Sequence, residues 1–187
     1  MNSGGAIAMG CADIHNSRAR GFTLLEALVA MALIAILAAI AIPQYSAYTI
    51  RGQRGAAKAA LQQAAQYLER NYTANGCYDF DTAANACAAT AALPSPYSPN
   101  GGGAITYVLS VTFPANPTVG QTYQLAAAPC GTAAAGCAVA GSNTTFTDPT
   151  CGALTLDNTG QQGVDQPGTG QGAPVFTPAL VATCWQR

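Results

Sequence analysis

Residues 22–42 read FTLLEALVAMALIAILAAIAI, an apolar run in which Thr23 and Glu26 are the polar exceptions. As a helix, these 21 residues span about 30 Å, the thickness of a bilayer's hydrocarbon core. The run therefore constrains the fold before anything else does: it needs lipid or other helices around it. Arg18 and Arg20 precede it and no basic residue follows until Arg51, so the positive-inside rule puts the N-terminus in the cytoplasm. The run is too long for a secretory h-region, and Pro43 follows without a small-residue cleavage site. Hydropathy thus reads an uncleaved anchor and leaves Glu26 unexplained. A carboxylate inside hydrocarbon costs roughly 2.5–3.5 kcal/mol. The plain alternative is that Glu26, one turn inside, reaches back to the interface.

Composition agrees with a surface-assembled or membrane-associated chain. Of 187 residues only 8% are charged, against about 25% in soluble domains. The net charge of −1 gives no global field aimed at nucleic acid or an acidic substrate. Apolar residues make up 50% and are patterned, which excludes disorder. The length suits one ordinary domain plus the anchor.

The stretch RGFTLLEALVAMALIAILAAIAIPQY resembles the processing and anchor signature of type IV pilins and their relatives. In that family a basic leader ends in glycine, a dedicated peptidase cuts before phenylalanine, the new amine is methylated, and the fifth mature residue is glutamate. Carried across, the resemblance implies cleavage between Gly21 and Phe22, N-methylation of Phe22 and an assembly role for Glu26. Glu26 would approach the Phe22 amine of a neighbouring subunit, offsetting the cost of a lone carboxylate in lipid. A leader of residues 1–21 is long for this class, and a start at Met9 gives the same mature chain.

Beyond Pro43 helical periodicity continues. Ala57, Leu61, Ala64, Leu68 and Tyr72 share one face, with Arg54, Lys58 and Arg70 mostly elsewhere. We read one long helix over 22–73, its first half (22–42) the anchor and filament core, and a globular β domain over 74–187. Pro43 marks either a tolerated kink or a place where the helix bends during assembly. Residues 75–103 read as irregular. Ile105, Tyr107, Leu109, Val111 and Phe113 alternate on one strand face, followed by short strands around Tyr123 and Leu125 and around Leu154 and Leu156. Residues 157–174 read as a glycine-rich loop without phosphate-binding spacing. The expected class is α+β: the type IV pilin fold, a long helix on a small antiparallel sheet with a disulfide-closed C-terminal region.

Removing the leader removes Cys11 and leaves Cys77, Cys87, Cys130, Cys137, Cys151 and Cys184. Six cysteines allow 15 connectivities, of which nearest-neighbour closure is one: Cys77–Cys87, Cys130–Cys137 and Cys151–Cys184. The last pair resembles the family's C-terminal disulfide, and CGALTLDNTG with the terminal CWQR is similar to minor pilins of the PilE and ComP kind. Disulfides agree with a periplasmic domain.

The single histidine, His15, lies in the leader, so the mature chain has no imidazole for a nucleophile system. Its acids, Glu69, Asp79, Asp81, Asp148, Asp157 and Asp165, show no catalytic spacing. Asp157 and Asp165 flank the glycine-rich loop as a calcium alternative to a solvated loop. Neither enzyme activity, nor metal, nor cofactor is expected. Arg51, Arg54 and Lys58 are expected to meet neighbouring subunits or lipid headgroups. With Arg70 and Arg187 they are too few for a duplex contact on one subunit, so DNA is a disfavoured partner. Sequons stand at Asn71 and Asn143. The resemblance implies a structural subunit, of the minor class by our reading, inserted in the bacterial inner membrane and then displayed in a surface pilus. The implied partners are other pilins, the prepilin peptidase, the assembly platform protein and its ATPase. A pseudopilin of type II secretion or competence, a DNA-binding minor pilin, and an anchored periplasmic domain that never polymerises remain open.

Overall fold

Thr23 starts the long helix: its Oγ1 accepts the backbone N–H of Glu26 at 3.2 Å, filling one of the donors that a first helical turn leaves open. From there α1 runs Leu24–Asn75, 52 residues, and continues through Pro43. It ends where Gly76 adopts φ +78° and donates to the Tyr72 carbonyl at 2.8 Å, a left-handed cap that glycine adopts without steric cost. The structure is a computed structural model and describes residues 21–81, 83–87, 92–114, 120–132, 136–165 and 177–186. Residues 1–20, with Cys11, His15, Arg18 and Arg20, lie outside them, as do Arg187 and residues 166–176, which include the end of the glycine-rich stretch.

The chain divides into two units at Pro43–Gln44. In the first, described from Gly21, the helix carries apolar side chains all round, and they are exposed: Leu24 by 78% and Leu25 by 72%. A helix apolar on every side needs an apolar environment around it.

The second unit, Gln44–Arg187, packs the rest of α1 on an antiparallel sheet. Its strands are β3 (Tyr97–Ser98), β4 (Tyr107–Thr112), β5 (Gln124–Pro129), β6 (Ala153–Asp157) and β7 (Gln162–Asp165), paired in sequence order. A separate two-residue hairpin pairs β1 (Phe80–Asp81) with β2 (Ala86–Cys87). Register places Leu109, Ala127, Leu154 and Val164 in one row and Val111, Leu125 and Leu156 in the next. Those rows bury against Ala57, Ala60, Leu61, Ala64 and Leu68 of α1, where the small residues let helix and sheet approach closely.

The sheet's other face is not open to water throughout. Val108 and Ala128, register partners, are covered by the turn that Cys130–Cys137 closes, together with Tyr97 and Ile105. Ile105 thus belongs to this outer cluster and not to the face of Tyr107 and Leu109, because the chain before β4 pairs with Ser142. Tyr72, expected on the core stripe, is 38% exposed and stacks on Tyr78 at 4.6 Å between ring centres.

One element, β7, stands where a loop is expected, and a short helix follows in a stretch for which no element is expected. β7 forms inside 157–174 because Asp157 to Gly160 make a tight turn, which returns Gly163 and Val164 into the core. After Thr177, α2 (Pro178–Trp185) lies along β7, and its Trp185 indole donates to the Gly163 carbonyl at 3.0 Å. That bond satisfies a carbonyl on the strand with which the sheet order ends.

Disulfides join Cys77 to Cys87, Cys130 to Cys137 and Cys151 to Cys184. The last closes 33 residues and holds α2 beside β6 and β7. Replacing Cys151 and Cys184 together with serine is expected to cost roughly 4 kcal/mol by chain entropy, against about 2.5 kcal/mol for the Cys130–Cys137 pair. Thermal unfolding of the full chain in detergent checks the order of these two losses.

Candidate functional site

Gly21, Phe22 and Thr23 precede α1, and Glu26 lies in its first turn. The Thr23–Glu26 bond makes this the N-terminal half of a capping box, legible as T-x-x-E in the sequence. An acid here faces the positive end of the helix dipole. Glu26 is thus held at the helix tip among exposed Phe22, Leu24 and Leu25. α1 is long and apolar enough to cross a membrane.

Two basic residues of α1, Arg54 and Lys58, do different work from that expected of them. Arg54 is buried, not facing neighbours: its Nε donates to Asp148 Oδ2 at 2.5 Å and its Nη2 to Oδ1 at 2.6 Å. Tyr107 from β4 donates to the same carboxylate at 2.8 Å, as does the Cys151 backbone N–H at 3.1 Å. One buried carboxylate therefore ties helix, sheet and the disulfide turn together. Lys58 donates to the Trp185 carbonyl at 2.9 Å, so it too belongs to the domain's own packing. At the other end of the helix segment, Glu69 accepts from Tyr78 and Tyr123, each at 3.3 Å.

These contacts set protonation. Burial pushes the Asp148 carboxyl upward, but hydrogen bonds from Arg54, Cys151 and Tyr107 and the Arg54 charge outweigh it, so the net shift is downward. Burial, followed by the Asp148 charge, drives the Tyr107 phenol far above its ordinary value. For Asp148 the unfolded chain binds the proton first as pH falls. Its contribution to stability is complete above an ordinary carboxylate pKa of about 3.9 and is lost below it. We expect the melting temperature to fall steeply below about pH 4, and less steeply in Asp148→Asn. A pH series of thermal melts checks this.

Neither acidic grouping builds a cation site. Asp157 Oδ1 is engaged by Thr159 N–H at 2.9 Å, Thr159 O–H at 2.6 Å and Gln161 N–H at 2.8 Å, the bonds of the β6–β7 turn. Asp165 lies on β7 opposite Ala153, with the turn at the strand's other end. Cys77, Asp79 and Cys87 gather closely, but the two sulfurs are bonded to each other and offer no thiolate. Asp79 instead packs on Gly120, where φ is +79° and an added Cβ would meet its carboxylate at 2.2 Å.

A long N-terminal helix packed on a small antiparallel sheet, with disulfides toward the C-terminal end, defines the type IV pilin class. The prokaryotic N-terminal methylation motif matches residues 16–42. The family described as type IV minor pilin ComP, DNA uptake sequence receptor, matches residues 43–155, more than half of the chain. The chain belongs to this ComP family of type IV minor pilins. Among curated relatives, a fimbrial protein of Pseudomonas aeruginosa is 62% identical over 34 residues, 18% of this chain and 22% of that protein. The type IV major pilin protein PilE of Neisseria gonorrhoeae is 29% identical over 82 residues, 44% of this chain and 49% of that protein. The fimbrial protein EcpC of Eikenella corrodens is 38% identical over 71 residues, 38% of this chain and 46% of that protein. The chain thus spans between about a fifth and a half of the length of these relatives.

Proposed function

We propose that the chain is the precursor of a minor subunit of a type IV pilus. The prepilin peptidase cuts between Gly21 and Phe22, Phe22 is N-methylated, and the subunit waits in the inner membrane with its disulfide-stapled domain in the periplasm. The assembly platform and its ATPase then move it into a filament of other pilins, where Glu26 meets the Phe22 amine of a neighbour. The observation that carries this reading is the first turn of α1: Glu26, whose backbone N–H is capped by Thr23, stands at the tip of a helix segment that is apolar on every side. In lipid that charge is costly, and in a fibre it gains a cation. Within the filament the subunit serves adhesion, twitching motility or DNA uptake.

Reception of DNA is the second reading, favoured by the description of the matched family. Charge speaks against a mainly electrostatic contact by one subunit. With Arg54 and Lys58 engaged internally, the exposed cations among the described residues are Arg51 and Arg70, and Arg70 lies 6.0 Å from the Tyr67 ring. Probing sheared surface fibres for the chain tests the proposal. Its presence there beside other pilins is expected. Its confinement to membranes, in cells that make fibres, would contradict it.

A further inference from the structure

The Cys77–Cys87 bond joins a buried segment to an exposed strand. Cys77, Tyr78 and Asp79 are buried, and the Tyr78 backbone N–H donates to the Gly120 carbonyl at 2.8 Å. The Tyr78 ring belongs to the main core. β2 is exposed at both Ala86 and Cys87, and it pairs with β1 in a sheet apart from the five-stranded one. The disulfide therefore has one end held in the domain and the other open to solvent. In the other two disulfides all four cysteines are buried, none more than 4% exposed.

Asp79 stands beside this bond. A carboxylate oxygen and the two sulfurs lie within 4.8 Å of one another, one water or a small side-chain rotation from a hydrogen bond. Asp79 is 1% exposed, and Gly120 passes so close that no side chain fits between them. A carboxylate in so enclosed a place is costly, and the chemistry beside it is a disulfide.

We propose that Cys77, Asp79 and Cys87 form a thiol–disulfide exchange site whose substrates are small thiols and disulfides. An external thiolate attacks the exposed Cys87 Sγ. The S–S bond breaks and its electron pair leaves on Cys77 Sγ, which takes a proton. A second thiol attacks the mixed disulfide, frees Cys87 as a thiol and leaves as the external disulfide. The two electrons thus come from the two external thiols. In the closing direction Asp79 takes the proton of the Cys77 thiol, the Cys77 sulfur attacks Cys87 Sγ, and the external thiolate departs. Burial assigns the roles: Cys87 meets the external sulfur and Cys77 resolves the mixed disulfide.

For the test, the full oxidised chain in detergent is incubated with millimolar reduced and oxidised glutathione and alkylated without unfolding. Its cysteine peptides are then mapped. Cys77–Cys87 should exchange about ten-fold faster than either other bond, or more, with glutathione caught on Cys87. Equal rates at all three bonds overturn the site, as do resistance of Cys77–Cys87 and glutathione caught on Cys77. Asp79→Asn should leave capture at Cys87 unchanged and slow closure by on the order of 100-fold, so that the mixed disulfide accumulates. Closure at the unmodified rate overturns the proton-accepting role of Asp79. Opening of Cys151–Cys184 in that variant overturns it too, because Asp79 would then support the fold and not move a proton.

Discussion

A chain carrying Glu26→Ala is expected to enter the membrane and lose its leader normally, yet to be depleted from sheared fibres by on the order of 100-fold. The magnitude follows from the cost of the carboxylate. An unpaired acid in hydrocarbon raises the free energy of the waiting subunit by roughly 2.5–3.5 kcal/mol, and in the proposed assembly docking relieves it through a neighbour's amine. Alanine removes both the cost and the relief, so the isolated subunit becomes as comfortable as the assembled one. At about 1.4 kcal/mol per tenfold, the equilibrium loses about two decades. Glu26→Gln separates charge from shape: it keeps the length of the side chain and should behave like alanine. Immunoblots of membrane and sheared fractions read both variants. Undiminished Glu26→Ala in the fibres would show that the carboxylate has no part in assembly.

Asp148→Ala is expected to be the most damaging single change in the globular unit, lowering stability by about 3–5 kcal/mol. The loss comes less from the attraction removed than from what stays behind. Arg54 remains buried with its charge uncompensated, and the Tyr107 hydroxyl and Cys151 N–H lose their acceptor. Removing both members, as Arg54→Met with Asp148→Leu, should recover much of the loss, because a well-packed apolar pair carries no stranded charge. Denaturant unfolding of the full chain in detergent measures the cycle. If the double variant were as unstable as Asp148→Ala alone, the burden would lie in packing and not in the unpaired cation.

The same lock shows where reading the sequence reaches its limit. The stripe Ala57–Leu61–Ala64–Leu68 is legible because four residues repeat at helical spacing, and all four are in the core. The strands around Leu109, Leu125 and Leu154 are legible by alternation. Arg54 and Lys58, in contrast, read as surface charges. Their partners stand 94 and 127 residues away, and no local pattern encodes a contact of that separation. β7 has one large apolar residue, Val164, beside Gly163, too little to show a period. α2 is eight residues long, and its signal was the Thr177-Pro178 start that suits a helix N-terminus. The T-x-x-E box at Thr23 is equally local and readable.

Intact-mass and N-terminal peptide analysis of the chain, taken from native membranes or sheared fibres, tests the pilin precursor most directly. The expected product begins with N-methylated Phe22 and is lighter by six hydrogens than the reduced mature chain, one pair for each of the three disulfides. A chain that keeps residues 1–21 in cells with an active prepilin peptidase would contradict it, leaving an anchored domain that is never released into a fibre.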